Sequence, residues 1–222
     1  TWVHEHLTAF DNPITTVNMS LGADWNSDSL PSWAILEEEL GRLHADGVFI
    51  TVSAGNSFSS YGVPGVNYPA ASPYVMPVAS VDASGNLSGF SQRSSDVIAA
   101  PGEAIWSTVP DYEGNWNGID DDFTRFSGTS MAAPYVAGAS VLIRQAYEFA
   151  GIDGVTPDMI AQVMRRTADR VYDPVTKATY NRLNVERAIS SILPADEYGS
   201  AAADAHDLGT LGAGVTLSGA IA

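Results

Sequence analysis

Ser130 is set up for nucleophilic chemistry by its neighbours. It lies in Phe126-Ser127-Gly128-Thr129-Ser130-Met131-Ala132-Ala133-Pro134, where a turn of small residues leads into an apolar run from Met131 to about Ala150. The run holds Val136, Ala139, Val141, Leu142, Ile143 and Tyr147 and reads as a helix, apolar nearly all round until Arg144, so most of it is expected to be buried. A serine at a helix N-terminus is surrounded by N–H groups with no intrahelical partner, and the helix dipole there favours negative charge. Such a place suits a hydroxyl that attacks as a nucleophile and an acyl oxygen that becomes an oxyanion. Serine is also a preferred N-cap, and this stretch taken by itself reads first as a cap; stretches elsewhere in the chain favour the nucleophile. Asn56 is the second candidate. It follows an apolar run, Val48 to Ser53, at the carboxyl end of what reads as a buried parallel strand, where ligands gather in open α/β sheets. A turn asparagine after Gly55 fits that position as well.

The elements that must hold these residues follow a strand–helix–strand order. Trp2 to Asn12 reads as the end of a helix, with His4 and His6 facing solvent, and Thr15 to Leu21 reads as a strand. Gly22 to Ser29 reads as a polar loop. Pro31 opens a helix whose stripe is Trp33, Leu36, Leu40 and Leu43 and which Gly47 ends. With the strand Val48–Ser53 this is a βαβ crossover, right-handed by the general rule. Phe58 to Pro73 reads as loop, Tyr74 to Val81 and Ala104 to Thr108 as strands, and Leu87 to Ile98 as a serine-rich turn and a short strand. Thr156-Pro157-Asp158 caps a helix to about Thr167, and a last helix runs from Leu183 to about Ile192. The expected class is α/β: a three-layer arrangement with a mostly parallel sheet and helices on both faces.

Several stretches match one family in order. Gly128-Thr129-Ser130-Met131-Ala132-Ala133-Pro134, followed by Val136-Ala137-Gly138, resembles the nucleophile segment of the subtilisin-like serine proteases (subtilases, peptidase S8). Val17-Asn18-Met19-Ser20-Leu21-Gly22 resembles the strand bordering their substrate cleft, and Val52-Ser53-Ala54-Gly55-Asn56 their oxyanion-hole segment. Tyr68-Pro69-Ala70 and Ala99-Ala100-Pro101-Gly102 also match. The resemblance implies a three-layer subtilisin-like fold, Ser130 as nucleophile and Asn56 as the side-chain donor to the oxyanion. It implies that Ser20, Leu21 and Gly22 on one side, and Ser53, Ala54 and Gly55 on the other, flank an extended peptide. It also places the lower part of the first specificity pocket near Asn67-Tyr68-Pro69. Ala23 stands where many relatives have glycine, and a large apolar residue before the cleaved bond is the expected preference.

A serine protease also needs a base and a carboxylate that orients it. In subtilases these come earlier in the chain, in Asp-Ser/Thr-Gly and His-Gly-Thr-His segments, and neither occurs here. His44 and His206 lack the matching flanks. The chain is therefore expected to be the C-terminal two-thirds of a catalytic domain, residues 1–194, with Asp and His supplied by the upstream part of the same domain. The alternative expectation is a non-catalytic subtilase-like binding or structural module that lacks the base. An α/β-hydrolase is disfavoured because Gly-Thr-Ser-Met-Ala lacks the second glycine of the Gly-x-Ser-x-Gly elbow.

Composition narrows the partners. The 222 residues carry 26 acidic against 10 basic side chains, a net charge of −16, which disfavours nucleic acid and anionic membranes. No apolar run approaches the ~20 residues needed to cross a bilayer. There is no cysteine, so thiolate chemistry and disulfides are excluded. The expected partner is a peptide or protein substrate, and the expected location is outside a bacterial cell. No cofactor is required. The stretch from Pro110 to Asp122 holds Asp111, Glu113, Asp120, Asp121 and Asp122 and reads either as a structural calcium loop or, preferably, as a solvated insertion. Residues 195–206 read as an Ala/Ser/Asp-rich linker, and 207–222 resemble the start of a small C-terminal β domain of the pre-peptidase type.

Overall fold

A sheet of six strands runs through the middle of the molecule. The computed structural model describes residues 1–110, 118 and 123–194, so the acidic stretch beyond Pro110, the linker and the C-terminal β segments lie outside the described residues. The strands β1 (Thr16–Met19), β3 (Phe49–Ser53), β5 (Met76–Val81) and β6 (Ile98–Pro101) are parallel neighbours in that order. The hairpin of β9 (Asp169–Asp173) and β10 (Ala178–Arg182) closes the far side, with β10 parallel to β6. Every residue of β3 is buried, as is every residue of β5.

Period-two alternation sends the strand side chains into two cores. Phe49, Met76, Val78, Ile98 and Ala100 meet Ala132, Val136 and Ile143 of helix α4 (Thr129–Phe149), and Ile160 and Met164 of helix α5 (Pro157–Thr167). Ile50, Val52, Ala79 and Ala99 face the other way, onto Leu40 of helix α2 (Glu37–Ala45), Val66 and Tyr180. Helices therefore cover both faces of a mainly parallel sheet, the expected three-layer class. Helix α5 has the expected cap: the Thr156 hydroxyl accepts from Met159 N at 3.2 Å. Asn184 caps the short α6 (Val185–Ser190) in the same way at 2.9 Å.

Four expectations need correction. The helix expected from Pro31 begins only at Glu37, because Trp33 turns edge-on to Tyr68 and Trp25 and the Leu36 N–H donates to the Tyr68 hydroxyl at 2.8 Å. The stretches Gly22–Ser29 and Phe58–Pro73, both expected to be loop, hold strands β2 (Ala23–Ser27) and β4 (Val66–Tyr68), paired antiparallel, and Phe58–Tyr61 forms a helical turn; the strand pairing is tertiary and leaves no local pattern. His4 and His6 are partly buried and partnered rather than free in solvent. His4 meets the Asp46 carboxylate, and His6 stacks on Trp2 and bonds its carbonyl. Helix α4 buries only one side, and its other side exposes Tyr135, Val141, Leu142 and Phe149 by about half or more. The outer edge of β1 is likewise unpaired among the described residues.

Candidate active site

Helix α4 starts at Thr129 and its N-cap is Gly128, with no side-chain cap. Ser130 is therefore the second helical residue, and the capping role open to it in the sequence is not the one it has. Its hydroxyl reaches one acceptor, the Ser20 carbonyl, at a long 3.5 Å. Its backbone N–H is one of the first-turn donors without an intrahelical acceptor. Ser20 is fixed opposite: its hydroxyl donates to the Ser130 carbonyl at 2.7 Å and accepts from Asn18 Nδ2 at 3.0 Å. The strand β1 thus ends against the first turn of α4.

Asn56 reaches the same turn from the end of β3. Its Oδ1 accepts from the Thr129 N–H at 2.9 Å and from the Thr129 hydroxyl at 3.0 Å. Two donors on one end of the amide fix which end is oxygen. Nδ2 is left as a donor with no acceptor among the described residues. Thr129 is fully buried, and its hydroxyl oxygen also accepts from Gly55 N at 3.2 Å. One threonine therefore ties the loop after β3 to the start of α4 and sets the rotation of Asn56. The two unused donors, Asn56 Nδ2 and Ser130 N–H, flank Gly128. A Cβ on that glycine would lie 3.4 Å from the first and 3.7 Å from the second. Asn56 Nδ2 and Ser130 N thus lie within 4 Å of one point beside Gly128, with Asn56 Oδ1 at 3.8 Å from it.

These groups open on a cavity of about 490 Å³. Leu21, Gly22, Ser53, Gly55, Asn56 and Ser130 all line it. Ala54 does not: it is fully buried, its N–H donates to Val78 O at 2.8 Å and its carbonyl accepts from Asn67 N at 2.8 Å, so it backs the wall. Ser53 is nearly buried and its hydroxyl holds the Leu21 carbonyl at 3.2 Å, fixing the distance between the two flanking segments. Ser20 stands at the rim, bonded to the Ser130 turn. The sequence reading missed Thr129 as the orienting residue, although it lies inside the motif that singled out Ser130. It also missed Asp24 and Gln92, which reach the cavity from β2 and from the loop before β6.

No described histidine faces Ser130. His44 pairs with Asp158 at 3.3 Å on the helical surface, and His4 and His6 are engaged as above. Among the described residues no three His, Cys, Asp or Glu side chains converge as metal ligands, and no helix is long and apolar enough to cross a membrane.

A mainly parallel sheet thus sets a serine in the first turn of a central helix, with two donors beside it, at the wall of the cavity. The profile described as the Subtilase family matches residues 2–214, and the chain belongs to that family. It is 34% identical over 140 residues to subtilisin DY of Bacillus licheniformis, spanning 63% of this chain and 46% of that protein. It is 35% identical over 167 residues to a thermostable alkaline protease of Halalkalibacterium halodurans, spanning 75% of this chain and 40% of the relative. Among solved structures, the patellamide maturation protease PatA superposes with a TM-score of 0.65 at 27% identity, over 86% of this chain and 66% of that one. A protease of Pseudoalteromonas arctica PAMC 21717 gives 0.59 at 27% identity, over 82% and 52%. The chain thus spans less than half the length of these two curated relatives.

Proposed function

We propose that this chain carries the nucleophile, the oxyanion donors and much of the substrate cleft of a serine endopeptidase secreted by a bacterium. The observation that carries the reading is the pair of unused donors, Asn56 Nδ2 and Ser130 N–H, around Gly128 and beside an almost unbonded Ser130 hydroxyl. A peptide lies extended between Ser20-Leu21-Gly22 and the Ser53-Ala54-Gly55 wall. Ser130 Oγ attacks the scissile carbonyl carbon as its proton passes to a histidine base. The carbonyl oxygen becomes an alkoxide and takes hydrogen bonds from Asn56 Nδ2 and Ser130 N–H, which stabilise it more than the planar carbonyl. Collapse expels the amine, protonated by the same histidine, and leaves an acyl ester on Ser130. Water then repeats the sequence and frees the acid. The chemistry calls for no cofactor. A structural calcium, if one is used, belongs with the acidic stretch outside the described residues.

The histidine and its aspartate come, in this reading, from the upstream part of the same domain. Three features support that: the short span relative to the curated relatives, the unpaired outer edge of β1, and the apolar stripe Tyr135, Val141, Leu142 and Phe149 on α4. An exposed edge and an apolar helix face are surfaces that folded domains normally cover. The absence of a described histidine near Ser130 also favours the second reading, a binding or structural module without a base. Ser130→Ala in the full-length protein decides between them. Peptide hydrolysis is expected to vanish with it; hydrolysis that survives, or that never occurs in the parent, contradicts the peptidase assignment.

A further inference from the structure

Arg93 is the largest fully buried side chain among the described residues. Each of its guanidinium nitrogens donates: Nε to Ser91 O, Nη1 to Asp173 Oδ2 and Nη2 to Ser88 O, all at 2.8 Å. Its Cζ also lies 3.7 Å from the centroid of the Phe58 ring. Burying a charge is costly, and a well-packed apolar pair in place of a buried ion pair is often neutral or stabilising. Stability by itself therefore does not call for an arginine here.

What the planar fork does is fix a shape. Two of its bonds go to carbonyls of its own loop, residues 88–93, and curl that loop around the guanidinium; the third ties the loop to β9. The Arg93 backbone adds a rung to Gly65, accepting from its N–H at 2.8 Å and donating to its carbonyl at 3.1 Å. The loop so fixed grips the segment around Asn56 on both sides. Before Asn56, the Gly55 carbonyl accepts from Gln92 N at 2.8 Å. After it, Phe58 N donates to the Phe90 carbonyl at 3.0 Å, and the Phe58 ring lies against the guanidinium. Thr129 holds the Asn56 amide, but loop 88–93 holds the backbone that carries it.

Resting on the peptidase reading above, we infer that Arg93 is a positioning residue for the oxyanion donor: through loop 88–93 it sets where the Asn56 backbone sits and so where Asn56 Nδ2 points. Arg93 does not line the cavity and acts only through these neighbours. A donor preorganised for a developing charge loses its effect when displaced, and a shift of about 1 Å is enough to cost ~10²-fold in rate.

The test measures kcat, KM and urea midpoints of the full-length protein with one peptide substrate. Arg93→Met/Asp173→Leu removes both charges together and is expected to keep the midpoint near the wild-type value. Arg93→Lys keeps a charge opposite Asp173 but lacks the fork that reaches both the Ser88 and Ser91 carbonyls, so it carries the comparison if the double variant does not fold. Each is expected to lower kcat at least about tenfold, by no more than Asn56→Ala does, with KM within about twofold of wild type. Combined with Asn56→Ala, each is expected to lower kcat no further, because the donor it positions is already gone; a merely structural role lowers it again. Unchanged kcat in a folded variant, a loss carried by KM, or the same loss on top of Asn56→Ala overturns the positioning role and leaves the peptidase reading standing. A wild type that neither hydrolyses peptides nor takes a fluorophosphonate at Ser130 overturns the peptidase reading and this inference with it.

Discussion

On the Asn56 side of Ser130 the donors are oriented by buried partners, whereas on the Ser20 side the hydroxyl meets only a carbonyl at 3.5 Å. Thr129 fixes Asn56, Gly55 bonds Thr129, and Gln92 N donates to the Gly55 carbonyl at 2.8 Å. Behind them the Arg93 guanidinium lies 3.7 Å from the Phe58 ring centroid and bonds Asp173 at 2.8 Å, while its backbone pairs with Gly65. The other side is held through Ser20, bonded to the Ser130 carbonyl and to Asn18, which in turn accepts from Thr51 Oγ1 at 3.1 Å, but there β1 ends the sheet among the described residues and no described base stands beyond it. The difference teaches which half of the chemistry this chain can prepare alone. Donors for an oxyanion are preorganised by in-chain contacts and need no rearrangement when charge develops. Proton acceptance is left to a group from elsewhere.

The strongest way to break the contrast is to remove the scaffold behind the built side. Asp173→Asn leaves the buried Arg93 charge uncompensated and is expected to cost about 3–5 kcal/mol in urea unfolding of the full-length protein. The same pair gives a pH dependence. Burial pushes the Asp173 carboxyl up, but hydrogen bonds from Thr176 and Arg93 outweigh it and hold the group below the ordinary aspartate value. A carboxylate with a lowered folded pKa stabilises the fold fully above the ordinary value near ~4 and loses that contribution as pH falls through its folded value. Acid unfolding is therefore expected to show a limb below about pH 4 that Asp173→Asn makes shallower, the rest coming from other lowered carboxylates such as Asp169 and Asp82. A midpoint that falls equally in wild type and variant contradicts this.

Next in size is Asn56→Ala, which removes one of the two donors. A drop of about 10²–10³ in kcat with little change in KM is expected, a figure taken from a subtilisin oxyanion asparagine rather than derived from this structure. A purely KM effect assigns Asn56 to binding instead. The smallest effect sharpens the comparison. Thr129→Val deletes the hydroxyl but keeps the backbone N–H on Asn56 Oδ1, so one of two anchors remains. A loss of roughly tenfold in kcat is expected, matching about one hydrogen bond to a poised group. A loss as large as that of Asn56→Ala makes the hydroxyl the sole effective anchor.

Local signals carried much of this into the sequence. The Thr156 cap and Pro157 mark α5 within one turn, and the apolar run Val48–Ser53 marks β3 as a buried parallel strand. The Gly-Thr-Ser-Met-Ala stretch pairs a small-residue turn with an apolar helix, which put Ser130 at a helix start. What could not be read depends on partners distant in sequence. The strand β2 exists only through β4, and β8 (Phe123–Phe126) only through β7 (Ile105–Thr108). Helix α2 starts late because Tyr68, far along the chain, takes the Leu36 N–H. The exposed stripe of α4 looks like core in sequence because its apolar residues are the same type as those it buries. Gln92 reads as an ordinary loop amide, and only the fold brings it to the cavity.

The most direct measurement is fluorophosphonate labelling of Ser130, compared between the full-length protein and this chain alone, with Ser130→Ala as the blank. The account predicts fast, stoichiometric labelling in the full-length protein and none above the blank in the isolated chain, because the donors are built here and the base is not. Fast labelling of the chain alone, or none of the full-length protein, contradicts it.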